Sequence, residues 1–125
     1  MGGVESDFMH ELSLVFSIID TVIEALTPYP GARVKEVRLR IGALAAVEEE
    51  SLQFCFGMAT EDTPLASSIL VVRKAPVVVH CTHCGETREL PSLQSFRCPE
   101  CSELAYEVLQ GREMEIEDIE IEDGK

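Results

Sequence analysis

Tryptophan is absent from this 125-residue chain, aromatic residues make up only 6% of it, and lysine and arginine number 10 against 23 acids. The shortage of basic residues leaves a formal charge of −13. A phosphate backbone or an anionic membrane surface is repelled by such a chain, so no nucleic acid and no membrane partner is expected. No apolar run approaches the roughly 20 residues of a membrane span, and the opening MGGVESDF has neither the basic region nor the apolar core of a secretion signal. A cytoplasmic protein is expected. There is no Gly-rich phosphate loop ending in Gly-Lys-Ser/Thr and no visible pairing of nucleophile with base, so the chain is not expected to be an enzyme.

What is present is enough for a core. Hydrophobic residues are 46% of the chain, and the length suits one domain carrying a small second lobe. From Met9 to Leu26 the apolar residues Leu12, Val15, Phe16, Ile19, Val22, Ile23 and Leu26 recur at spacings of three and four, which predicts an amphipathic helix. Pro28, Pro30 and Gly31 stop it. Val34 to Ile41 alternates, with Val37, Leu39 and Ile41 opposite Glu36, Arg38 and Arg40, and predicts a half-buried strand. Glu48, Glu49 and Glu50 suit the start of a second helix, whose buried stripe would be Leu52, Cys55, Phe56 and Ala59. Ile69 to Arg73 reads as a strand, Pro76 interrupts, and Val77 to Val79 leads into the first of two cysteine pairs. Tyr106 to Leu109 predicts a short strand. The acidic stretch with Met114, Ile116, Ile119 and Ile121 predicts a last strand, broken at Asp118, that returns to pair with the first lobe.

Five cysteines are present, and four of them form the pattern C-x2-C-x13-C-x2-C: Cys81, Cys84, Cys98 and Cys101. Each CxxC makes a tight turn that aims two sulfurs at one point, and the intervening residues allow a hairpin that joins the pairs. In a reducing compartment such pairs hold metal rather than disulfides. Zinc is the expected ion, in a structural role, because four protein ligands leave no place for an activated water. A rubredoxin-like iron site or a redox-active CxxC are the alternatives, the second disfavoured because no strand-CxxC-helix pattern surrounds either pair. His80 and His83 flank the first pair and read as solvent-facing knuckle residues, with exchange for a cysteine or contact with a second metal left open. Cys55 falls on an apolar stripe and reads as core.

Met9-His10-Glu11-Leu12-Ser13-Leu14 at a helix head, Val37-Arg38-Leu39-Arg40-Ile41-Gly42 in a strand, the doubled CxxC and the ending Glu115-Ile116-Glu117-Asp118-Ile119-Glu120-Ile121 together resemble the HypA/HybF hydrogenase-maturation proteins. The resemblance runs from Met9 to about Asp123. It implies an α+β fold, a two-helix, mixed-sheet nickel-binding lobe with an inserted zinc-ribbon lobe. The corresponding divisions are an extension at 1–8, a nickel lobe at 9–75, a zinc lobe at 76–110 and a returning acidic strand at 111–125. The implied function is a metallochaperone that delivers Ni(II), as transient cargo, to the large subunit of nickel-iron hydrogenase with a HypB-type GTPase. In some organisms urease maturation is also served. A homodimer is left open.

The resemblance implies His10 as principal nickel ligand, with Met9, Glu11 through its backbone nitrogen, and Glu48 as a weak carboxylate candidate. If Met9 is the true first residue, its amine, the His10 amide and the His10 imidazole close adjacent chelate rings of the kind Ni(II) accepts. The eight residues MGGVESDF depart from that pattern. A misassigned start or an added extension is the favoured explanation, and a variant with altered ligation the alternative. The competing function is a zinc-ribbon interaction adaptor that carries no nickel.

Overall fold

The computed structural model describes residues 3–91, 95–105 and 107–123, with the backbone alone over 3–9. The order of elements is α1 (Gly3–Ala25), β1 (Arg33–Gly42), a 3-10 turn (Ala43–Ala45), α2 (Glu49–Ala59), β2 (Ile69–Ala75), β3 (Val78–Cys81), β4 (Glu86–Glu89), β5 (Glu107–Gln110) and β6 (Met114–Glu122). The fold is α+β. Its strands form two three-stranded sheets, ordered β2-β1-β6 and β4-β3-β5. The chain divides into two compact units, one built from Met1–Leu39, Val47–Val72 and Ile116–Lys125 and the other from Arg40–Ala46 and Arg73–Glu115.

In the first unit α1 begins at Gly3 rather than at Met9, so most of the expected polar leader is helical. Its core face is Val15, Ile18, Ile19, Val22 and Leu26, all buried. Phe16 and Ile23, expected to share that face, are instead 52% and 42% exposed. A stripe seven residues wide was too broad for one contact surface, since a helix of 3.6 residues per turn spreads these positions over more than its packed face. The Thr27 hydroxyl closes the helix by donating to the Glu24 carbonyl at 2.8 Å, and Gly31 turns the chain with φ of 81°. Strand β1 then buries Val37, Leu39 and Ile41, the alternate positions that the pattern marked.

Helix α2 packs against α1 and buries Leu52, Cys55 and Phe56, while Ala59 is only half-buried. Glu48 stands just before this helix as its N-cap, its carboxylate accepting from the Ser51 amide at 2.9 Å. The Gln53 side chain donates to the Leu70 carbonyl at 2.8 Å and ties α2 to β2. Strand β6 is continuous through Asp118, where a break was expected. The sequence signal was a slip in alternation, Ile116 and Ile119 being the half-buried positions on either side of it. Arg38 bridges that point, donating to Asp118 at 2.8 Å and Glu120 at 3.0 Å, so the ladder is held together by cross-strand ion pairs.

The second unit rests on β3, which pairs antiparallel with β4 (His80 opposite Thr87, Cys81 opposite Glu86) and with β5 (His80 opposite Glu107). The β3–β5 register shifts between Val78 and Val79. Its core is small: Val77, Val79, Cys81, Leu90, Cys98 and Ala105, with Leu44, Phe96 and Val108 against it. Two of those six buried residues are cysteines of the paired motifs. Tyr106, placed in the fifth strand by sequence, lies outside the described residues. The segment after β1 crosses the turn at Gly111, with the Gly42 amide donating to the Glu113 carbonyl at 2.8 Å and the Leu44 amide to the Gly111 carbonyl at 2.7 Å.

Candidate metal centre

The first cysteine pair begins on the last residue of β3 and continues into a knuckle closed by a Gly85 amide bond to the Cys81 carbonyl at 2.7 Å. Gly85 has φ of 73°, the left-handed geometry the knuckle requires. The second knuckle has the same build. The Ser102 amide donates to the Cys98 carbonyl at 2.9 Å, with Ser102 itself at φ 66°. An antiparallel bridge pairing Arg97 with Leu104 closes the second knuckle, the Cys98 amide donating to the Glu103 carbonyl at 2.8 Å and the Ala105 amide to the Phe96 carbonyl at 2.8 Å.

The result is a four-sulfur cluster. Cys81 and Cys101 sulfurs are 3.6 Å apart, Cys84 and Cys98 sulfurs 3.9 Å apart, and all four lie within 4.8 Å of one another. Four sulfurs at about 2.3 Å from one ion at tetrahedral corners would be separated by about 3.8 Å. The donor set therefore fits a single tetrahedral thiolate-bound ion. The Cys84 amide points at the Cys81 sulfur at 3.4 Å, which supports negative charge there.

The ionisation of the cluster points the same way. Burial pushes Cys98 up, but amides of Cys101 and Glu100 and neighbouring thiols pull it down further, to about 6. At Cys101 the Glu103 amide favours the thiolate, yet burial and the other three thiols outweigh it and push the group up to about 12. One thiolate forms readily and repels the next, so the full set needs a cation at its centre. Arg88 on β4 supplies part of that charge. Burial works against its guanidinium, and hydrogen bonds to Cys98 and Cys84 outweigh it and raise the group. Sequence reading passed over Arg88, which takes its place from the fold: it stands opposite buried Val79 in the β3–β4 register and so on the core side of the sheet.

The two flanking histidines are not part of the cluster among the described residues. His80 is half-buried on β3, and His83 is exposed between the first two ligands, where it lines a cleft of about 430 Å³ with Thr82, Arg97, Glu103 and Leu104. Cys55 is fully buried in α2, where burial first and the charge of Glu11 second push its thiol up, leaving it inert.

In the first unit His10 is exposed on α1. Glu11 beside it points inward and is 1% exposed, one carboxylate oxygen accepting from the Glu48 amide at 2.9 Å and the other buried with no partner among the described residues. The Met9 side chain lies outside the described residues. The structure thus brings Glu11 and Glu48 together as a clamp between the two helices, while His10 stays in solvent.

Residues 9–121 match the family described as hydrogenase/urease nickel incorporation, metallochaperone, HypA. The chain belongs to the HypA family. The hydrogenase maturation factor HypA of Chloroflexus aurantiacus is 40% identical over 108 residues, covering 86% of this chain and 95% of that protein. The factor of the same name from Chlorobaculum parvum is 37% identical over 114 residues, covering 91% and 100%. The solution structure of the Ni metallochaperone HypA from Helicobacter pylori shares the fold, with a TM-score of 0.63 at 22% identity over 90% of this chain and 97% of the other. A second HypA solution structure gives 0.67 at 24% identity, covering 90% and 96%. The HypA family comprises hydrogenase maturation factors and nickel metallochaperones, and the matched span takes in His10, Glu11 and all four cysteines. No helix among the described residues is long and apolar enough to cross a membrane.

Proposed function

We propose that this chain carries Ni(II) as cargo at His10 in the cytoplasm and hands it, with a HypB-type GTPase, to the large subunit of nickel-iron hydrogenase. Cys81, Cys84, Cys98 and Cys101 hold one zinc ion that folds the second unit. The observation that carries this reading is the closed four-sulfur cluster in a chain of the HypA family: its ligands are all protein, so cargo must be bound elsewhere. Zinc would supply the charge that keeps all four thiolates ionised and would tie two knuckles to a core of six small residues.

His10 is the exposed imidazole of the first unit. The amides of His10 and Glu11 lie inside α1, which starts at Gly3, and a helical amide in that position is committed to the i to i−4 ladder. A nitrogen set that includes those amides therefore requires the head of α1 to unwind. Glu11, buried as an interhelix clamp, could ligate only with the same opening, whereas Glu48 is exposed and caps α2 through one carboxylate oxygen.

His10→Ala tests the reading. Hydrogenase activity in cells at limiting nickel is expected to fall and to recover when nickel is added in excess. Unchanged activity at limiting nickel would remove the chaperone reading in favour of a zinc-ribbon adaptor. Urease activity measured in the same cells shows whether a second nickel enzyme is served.

A further inference from the structure

Two sulfur contacts cross from one knuckle to the other, Cys81 with Cys101 at 3.6 Å and Cys84 with Cys98 at 3.9 Å. Each contact joins a buried sulfur to a half-buried one, since Cys81 and Cys98 are 0% and 1% exposed while Cys84 and Cys101 reach the surface in part. By exposure the two pairs are alike. Charge separates them.

Four thiolates around a divalent ion leave a net charge of about −2, and a cation beside particular sulfurs makes those sulfurs poorer nucleophiles. Arg88 is such a cation. It stands opposite buried Val79 on the core side of β4, half-buried itself, with its Nε buried. Its hydrogen bonds go to Cys84 and Cys98, which belong to the same pair. The donors on the other pair are neutral backbone amides, that of Cys84 to Cys81 at 3.4 Å and that of Glu103 to Cys101. A charged donor binds a thiolate about twice as strongly as a neutral one. Cys101 therefore combines partial exposure with an unguarded sulfur.

We propose that Cys101 is an oxidation site for hydroperoxides, with Cys81 as its resolving thiol, and that Arg88 protects the Cys84–Cys98 pair from the same reaction. In the first step the Cys101 thiolate attacks one oxygen of hydrogen peroxide. The S–O bond forms, the O–O bond breaks, hydroxide leaves, and the sulfur becomes a sulfenic acid as the peroxide takes up its two electrons. In the second step the Cys81 thiolate attacks that sulfur, forming an S–S bond and expelling a second hydroxide. Water protonates nothing further in the balance: two thiolates and one peroxide give one disulfide and two hydroxides. The two remaining thiolates are too few for a closed tetrahedral site, so the ion is lost. The second unit then keeps only its six-residue core to hold it, and a thiol reductant restores the site. This reaction uses neither His10 nor nickel.

The experiment treats the zinc-loaded full chain with hydrogen peroxide, follows zinc release with a chromophoric chelator, traps sulfenic acid with dimedone and maps early disulfides by fragmentation mass spectrometry. Wild type, Arg88→Gln and Arg88→Lys are compared, each first shown to hold zinc. In the wild type, dimedone is expected on Cys101, and the Cys81–Cys101 disulfide is expected to exceed Cys84–Cys98 by about tenfold, the effect of one charged hydrogen bond. Arg88→Gln is expected to bring the two disulfides to similar yield, and Arg88→Lys, which keeps the charge, to restore the preference. Buried Cys55 is expected to stay a thiol. Dimedone on Cys84, or an early disulfide other than Cys81–Cys101 in the wild type, would overturn the site without recourse to any variant. An unchanged preference in Arg88→Gln would overturn the role of Arg88. Zinc that stays bound while peroxide oxidises the chain's methionines would overturn the whole proposal.

Discussion

Replacing Gly42 with alanine is expected to damage the second unit severely. Gly42 ends β1 where it crosses the turn at Gly111. A Cβ built there would stand 2.7 Å from the Arg112 amide nitrogen and closer still to the carbonyl of Gly111. All of these atoms are backbone, so no side chain can rotate away. Gly111 cannot retreat either, since it has φ of 132° and its own space is closed by Val77. Relief must come from parting the strands, which breaks the Gly42 to Glu113 and Leu44 to Gly111 hydrogen bonds. Two such bonds are worth about 2 kcal/mol together, and overpacking adds about 1–3, so the expected cost is about 3–5 kcal/mol. Urea denaturation of the zinc-loaded protein measures it, with the rate of zinc loss to a chelator as a second reading. A Gly42→Ala protein with wild-type midpoint and zinc retention would refute the crossing geometry.

Four further expectations follow from the same contacts. Ser102 sits at a left-handed φ of 66° where the first knuckle has Gly85, so Ser102→Gly is expected to stabilise the second unit by about 0.5 kcal/mol in thermal melts, after glycine's extra chain entropy offsets part of the relief. Glu11→Ala strands the Glu48 amide and removes a buried charge-assisted bond, and is expected to cost about 2–3 kcal/mol in denaturant titrations. Glu113 is held below the usual carboxylate range, chiefly by backbone amides at Glu113 and Gly111 and then by Arg40, against the opposing effect of burial. A depressed acid stabilises the fold above its unfolded pKa and loses that contribution as pH falls through its folded value. Acid titration of stability should therefore show a component that Glu113→Gln abolishes. Nickel binding is expected to lower the helical circular dichroism signal as the head of α1 opens, with a micromolar dissociation constant, about 8 kcal/mol, as suits a carrier.

Much of this was legible in the chain because the signals were local. The alternation of Val37, Leu39 and Ile41 named the inward face of β1, and the Leu52–Cys55–Phe56 spacing named that of α2. The doubled CxxC predicted a sulfur cluster whose distances now suit one ion. The misses were of a different kind. Apolar period alone cannot tell a stripe packed on this chain's own core from one left outside, so Phe16 and Ile23 were assigned to the interior. Slipped alternation at Asp118 read as a break because the ion pairs that hold β6 there come from Arg38, 80 residues away in sequence. Arg88 and the Glu11 clamp were illegible for the same reason. Each takes its meaning from partners that only the folded chain brings close.

The central claim is that two metals have two separate addresses, zinc at the cysteines and nickel at His10. Nickel titration of zinc-loaded wild type and His10→Ala, with metal content determined on the same samples, tests it most directly. The account predicts that His10→Ala keeps about one zinc per chain and loses nickel binding. Nickel bound by His10→Ala as tightly as by the wild type, or nickel uptake that expels zinc in proportion, would contradict it.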